Sequence, residues 1–73
     1  MYKILIVEDD ETIAGGLKNH LEKWNYQAEC MTDFKDVMGK FVEFEPQLVL
    51  LDIVLPFFNG FHWCQEIRKI SKV

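Results

Sequence analysis

The stretch Leu48-Val49-Leu50-Leu51-Asp52-Ile53-Val54-Leu55-Pro56 decides the fold. It is an apolar run that ends on one carboxylate, with a proline four residues further on. Apolar residues without alternation predict a strand buried on both faces, as in a parallel sheet. Asp52 then stands at the strand's C-terminal end, where open α/β sheets bind ligands and do chemistry. Such an aspartate has two readings. It can cap a helix or close a turn, or it can act as a nucleophile or metal ligand. A second acidic cluster, at the end of another apolar run, decides between them.

That other run is Lys3-Ile4-Leu5-Ile6-Val7, a short β-branched strand that stops at Glu8-Asp9-Asp10-Glu11. Carboxylates favour a helix N-terminus and cap its free N–H groups, a task for Asp10 or Glu11. Capping needs only one or two of the four, and neighbouring carboxylates repel. The surplus points to a cation site.

The remaining chain falls into place around these two strands. A helix from Thr12 to Trp24 is predicted, with Ile13, Leu17, Leu21 and Trp24 as its inward stripe. Gly15-Gly16 costs about 1 kcal/mol per glycine against alanine, so this helix depends on packing. Tyr26 to Met31 alternates at period two and reads as an edge strand. Thr32 or Asp33 then caps a second helix reaching Phe44, with Phe34, Val37, Met38, Phe41 and Val42 inside. Glu45-Pro46 breaks it. After the loop Pro56-Phe57-Phe58-Asn59-Gly60, a third helix runs from Phe61 to Ser71, opened by Asn59 or Gly60. Its expected inward residues are Phe61, Cys64, Ile67 and Ile70. His20 and His62 read as rim residues without a chemical role.

Composition narrows the function classes. The chain has 73 residues, 49% of them apolar and 14% aromatic, which suits one small globular domain. A net charge of −4 and the lack of a basic stripe argue against a nucleic-acid surface. No apolar stretch approaches the roughly 18 residues of a membrane span, and Met1-Tyr2-Lys3-Ile4 does not have a signal peptide's layout. Cys30 and Cys64 have no metal-ligand spacing and read as buried thiols in a reducing, cytoplasmic setting.

The pattern is βαβαβα, which implies a parallel sheet with right-handed crossovers. In a doubly wound sheet the first and third strands lie side by side, at the topological switch point. The expected architecture is thus an α/β, doubly wound parallel sheet with the first and third strands adjacent. The ends of the first and third strands carry Glu8-Asp9-Asp10 and Asp52. Carboxylates gathered there cannot all ionise cheaply, and a hard divalent cation resolves the conflict. Mg²⁺ takes one or two carboxylates, waters and a phosphate oxygen. Held by Glu8, Asp9 and Asp52, it would neutralise an incoming phosphoryl group, with Asp52 placed to attack phosphorus.

Ile4-Leu5-Ile6-Val7-Glu8-Asp9-Asp10, Leu50-Leu51-Asp52-Ile53-Val54-Leu55-Pro56 and Asn59-Gly60 together resemble the receiver domain of two-component response regulators. The resemblance implies an α/β, truncated flavodoxin-like sheet of strand order 2-1-3, with Asp52 as the phosphoacceptor. It implies that Glu8 and Asp9 organise Mg²⁺ (or Mn²⁺), and that Val54 adds its backbone carbonyl. Pro56 and Gly60 match the loop that shapes the site, and Asn59 replaces the family's usual aspartate. The implied partner is a sensor histidine kinase, the implied role phosphorelay signalling and transcription regulation, and the chain would not itself be an enzyme. Gly60-Phe61-x-Trp63-Cys64 is more narrowly similar to winged-helix regulators of Gram-positive bacteria that respond to cell-envelope antibiotics such as bacitracin.

A receiver has five strand-helix units, and residues 1–73 account for three of them. The resemblance therefore implies the N-terminal portion of such a domain, either a fragment or a naturally short protein. The Ser/Thr that senses the phosphoryl group, the switch aromatic, the phosphate-pairing lysine and any DNA-binding domain have no counterpart here. Two other readings compete. A haloacid-dehalogenase-like phosphatase needs Asp-x-Asp, and Asp52-Ile53-Val54 lacks the second aspartate. A dinucleotide-binding oxidoreductase needs a glycine-rich turn where Glu8-Asp9-Asp10-Glu11 stands. A non-phosphorylated interaction module remains as the alternative. The third strand, left as an edge, is expected to drive self-association into a two-fold dimer.

Overall fold

Lys3–Val7 forms the middle strand because, after Lys3 at its half-buried start, no side chain in it needs water. From Ile4 to Val7 every side chain is 0–2% exposed. The computed structural model describes residues 2–73, in the order β1 (Lys3–Val7), α1 (Glu11–Lys23), β2 (Gln27–Cys30), α2 (Val37–Phe44), β3 (Leu48–Leu51) and α3 (Gly60–Ile70). The three strands form one parallel sheet, as the alternation of elements predicts, in the order β2-β1-β3 that the receiver resemblance implies. Ile4 pairs with Ala28 on one side and with Leu48 on the other. The ladders close with Met31 N–H donating to the Ile6 carbonyl (2.8 Å) and Asp52 N–H to the Val7 carbonyl (3.0 Å).

Successive residues of β1 face opposite layers. Leu5 and Val7 meet Val37, Phe41 and Phe44 of α2 and Trp63 and Ile67 of α3. Ile6 meets Ala14 of α1 and Ala28 of β2, with Leu21 and Leu50 half-buried around them. Two helices thus cover one face and a single helix the other. Among the described residues, no helix is long and apolar enough to cross a membrane.

The helices begin where their caps dictate. Asp10 Oδ1 accepts from Thr12 N–H (3.0 Å) and Ile13 N–H (3.2 Å), fixing the start of α1. Asn59 caps α3 by accepting from His62 N–H (2.9 Å). The second helix starts later than expected. Asp33 spends its side chain on Lys35 N–H in a turn, and Asp36 caps α2 by accepting from Gly39 N–H.

Several inward faces differ from the expected ones. In α1, Ala14 is the buried residue, whereas Ile13 is 50% and Trp24 68% exposed. The helix packs on β1 and β2 but hardly on β3, so a stripe aimed toward β3 finds no cover. In α3 the core takes Trp63 and Ile67, while Phe61, Cys64 and Ile70 are exposed. Val42 of α2 is likewise exposed, and Phe44 is buried instead. Neither thiol is deeply buried: Cys64 is exposed, and half-buried Cys30 donates to the Ala14 carbonyl. β3 is an edge, and its apolar run is half-exposed rather than buried on both faces.

Candidate functional site

Because β1 and β3 are parallel neighbours, their C-terminal ends deliver side chains to one place. Glu8 and Asp9 follow β1, and Asp52 follows β3. One carboxylate oxygen from each lies within 4.8 Å of the others. Opposite ligands of an octahedral Mg²⁺ stand about 4.2 Å apart, so these side chains need move little to share one ion. Asp10 is turned away into the α1 cap. The three carboxylates that the sequence groups thus lie side by side, and the cap question resolves to Asp10.

The electrostatics fit a cation. Glu8 Oε2 is buried and has no donor aimed at it among the described residues. The Glu8 carboxyl is pushed above its ordinary range, first by a hydrogen bond with Asp52, then by burial and by the charge of Asp52. The backbone N–H groups of Asp10 and Asp9 pull it the other way without cancelling the rise. A divalent ion between Glu8 and Asp52 would relieve that repulsion. Asp9 is exposed and Asp52 half-buried, which leaves the cluster reachable from solvent.

The β3–α3 loop shapes the other side. Asp52 Oδ1 accepts from Val54 N–H at 3.3 Å, which folds the loop back on the carboxylate. Gly60 N–H donates to the Ile53 carbonyl at 2.9 Å. A side chain at Gly60 would overlap the Asp52 carbonyl oxygen, so only glycine permits this approach. Val54 is 78% exposed, at the position whose carbonyl the sequence assigns to the metal.

One feature of the loop has no signal in the sequence. Phe57 has φ 67°, and Phe58 N–H donates to the Pro56 carbonyl at 2.9 Å. A bond across one residue with positive φ is the strained form of the γ-turn. A bulky residue held this way costs on the order of 1–3 kcal/mol, and such strain persists only when its surroundings enforce it. Lys35 stands over the Phe57 ring with Nζ 4.7 Å from its centre. Phe58 stacks on His62 at 4.5 Å and meets the edge of Trp63 at 5.6 Å. His62, which the sequence left without a role, is thus part of the loop's footing.

Beside the acids, a cleft of about 240 Å³ opens between α1 and the end of β2, bordered by Glu8, Asp9, Gly15, Met31 and Thr32. The largest cleft lies elsewhere, along β2 and α2, and carries no acid of the cluster.

Comparison with known proteins bears on this arrangement. The chain is 54% identical over 71 residues to the uncharacterized transcriptional regulatory protein YvcP of Bacillus subtilis (strain 168), covering 97% of this chain and 30% of that protein. Among solved structures it resembles the N-terminal domain of the nisin resistance regulator NsrR, a lantibiotic response regulator. That likeness has TM-score 0.92 and 45% identity, over 100% of this chain and 62% of that one. It also resembles the response regulator TrrA of Thermotoga maritima, solved with Mg²⁺ and BeF and 33% identical. The TM-score is 0.90, over 99% of this chain and 63% of that one. TrrA has also been solved in complex with the histidine kinase ThkA. The chain therefore spans less than a third of this curated relative and under two thirds of these solved chains. The response regulator receiver domain family matches residues 4–73, and the chain belongs to that family, whose members serve two-component signalling.

Proposed function

We propose that Asp52 accepts a phosphoryl group in a reaction that needs Mg²⁺ held by Glu8, Asp9, Asp52 and the Val54 carbonyl. The convergence of three carboxylate oxygens, beside a buried Oε2 of half-buried Glu8 that no donor meets among the described residues, carries this reading. A bound Mg²⁺ supplies positive charge against the phosphoryl oxygens. The Asp52 carboxylate forms the new O–P bond as the donor's bond to phosphorus breaks and its leaving group departs. Glu8 and Asp9 would present carboxylate oxygens to the cation, and Gly60 keeps the Asp52 backbone in place.

The donor in this reading is a sensor histidine kinase, and the setting is cytoplasmic. Residues 1–73 correspond to the first three strand-helix units of a receiver, and the chain acts as an acceptor, not as a catalyst with turnover. In a longer regulator it would govern transcription through a separate DNA-binding domain. Mn²⁺ could replace Mg²⁺, since both favour oxygen ligands. Incubation with a small acyl phosphate and Mg²⁺, followed by intact-mass measurement, tests the assignment. One phosphoryl group should appear, and neither Asp52→Asn nor chelation of the metal should allow it. Phosphate on another residue, or labelling that ignores Mg²⁺, would refute it.

A second reading is favoured by the open side of β3. Leu48, Ile53, Phe61 and Ile70 are 40–62% exposed along β3 and α3, next to apolar clefts of about 190 and 210 Å³. Exposed strand edges with apolar flanks recruit other strands. In this reading two copies of the chain pair through this side as a two-fold dimer.

A further inference from the structure

We propose that Lys35 and Phe57 form a clasp that sets the position of the Val54 carbonyl, making both of them positioning residues for the cation site. The inference rests on the cation reading given above. β2 and β3 flank β1, so the loops that follow them flank the end of β1, where Glu8 and Asp9 stand. Lys35 belongs to the first of these loops and Phe57 to the second. Their contact, with Nζ 4.7 Å from the ring centre, ties the two loops together.

Each end of the clasp is anchored. Lys35 N–H donates to Asp33 Oδ1 at 3.0 Å, and Asp36 N–H to the Asp33 carbonyl at 3.2 Å, so the lysine's backbone is fixed in a turn. Phe57 follows Pro56, whose ring fixes its own φ, and precedes Phe58, which is stacked on His62. Between these anchors Phe57 keeps a backbone conformation that glycine or asparagine would adopt with less strain. A phenylalanine that is 67% exposed contributes little to the core. What the ring does gain at this position is the lysine. The strained turn lies three residues beyond Val54, so its closure limits where the Val54 carbonyl points.

The test separates the ring from the backbone. The protein, Phe57→Gly, Phe57→Asn, Lys35→Ala, Lys35→Arg and the double variant Lys35→Ala/Phe57→Gly would each be titrated with Mg²⁺. The Val54 amide and Trp63 indole resonances report binding, and thermal unfolding is followed in parallel. The glycine and asparagine variants should unfold no earlier than the parent, because they fit a positive φ. They should nevertheless bind Mg²⁺ about two- to fivefold more weakly, the size of one exposed cation–π contact. Lys35→Ala should match them, Lys35→Arg should restore binding, and the double variant should be no weaker than either single one. If the parent binds Mg²⁺ and Asp9→Ala abolishes binding while Phe57→Gly leaves it unchanged, the clasp is overturned and the cation site stands. If the parent binds no Mg²⁺, both fall together.

Discussion

β1 and β3 are near-twins in sequence and opposites in environment. Each is a short aliphatic run that ends on acidic residues. Yet β1 is sealed from Ile4 to Val7, whereas Leu48 is 40% exposed and the rest of β3 is half-buried. The difference lies in neighbours. β1 has a strand on each side and helices on both faces, while β3 has β1 on one side only. Asp52 N–H donates to the Val7 carbonyl, so in this parallel register Leu50 also directs its N–H group to β1, and Val49 and Leu51 direct theirs to the open edge. A uniform apolar run therefore marks a strand that can be buried. Whether it is buried depends on what lies beside it.

The strongest way to break this contrast is to shorten matching leucines. Leu5→Ala, at a fully buried site, should cost about 2–5 kcal/mol. Total stability for a chain of this size is on the order of 4–11 kcal/mol, so that single change threatens the fold. Leu50→Ala on half-exposed β3 should cost only about 1 kcal/mol, since less apolar area is recovered from water. Urea unfolding measures both, and equal losses would mean that β3 is as enclosed as β1. Next in size is Gly60→Ala, where the start of α3 packs tightly against the end of β3. Its methyl group would push into the Asp52 carbonyl oxygen, at a cost of about 1–3 kcal/mol. An unperturbed midpoint, with unshifted Asp52 and Ile53 amides, would show that this contact is loose.

The same contrast explains what could be read from the chain beforehand. The pairing of β1 with β3 and the gathering of Glu8, Asp9 and Asp52 follow from runs and their acidic ends, and the strand order from the resemblance. Helix phase was harder. Leu21 and Ile67 face the core as their stripes predict, whereas Ile13, Leu17, Trp24, Phe61, Cys64 and Ile70 of the same stripes are exposed, because regular spacing does not say how wide a face the sheet covers. The start of α2 turned on Asp33 against Asp36, two aspartates that both make short-range bonds to nearby N–H groups. Phe57 left no trace, because Pro-Phe-Phe-Asn-Gly points to Asn59 or Gly60 as the residue in a special conformation.

Two further experiments sharpen the comparison by smaller effects. If the β3 edge recruits a second copy, Val49→Pro removes an edge N–H while leaving the ladder to β1 intact. Sedimentation should then shift toward monomer, as it should for Val49→Lys. A folded, cooperative monomer at high micromolar concentration in the parent would contradict the association. The acid-bearing ends also respond to pH. Glu8 has a raised pKa in the folded state, so its contribution to stability is full below the ordinary glutamate value of about 4.3. That contribution is lost as pH rises through the folded value. Mg²⁺ competes with that proton, so its affinity should rise with pH across the same window. Glu8→Gln should flatten both trends, and denaturation series with and without Mg²⁺ would show it.

The central claim is that the ends of β1 and β3 build one cation site, and a Mg²⁺ titration followed by amide chemical shifts tests it most directly. Binding should be saturable and weak, in roughly the millimolar range of open carboxylate sites. The shifts should concentrate at Glu8, Asp9, Asp52 and Val54, and Asp9→Ala should largely remove them. Amide shifts that stay constant to high Mg²⁺, with Asp9→Ala indistinguishable from the parent, would contradict it.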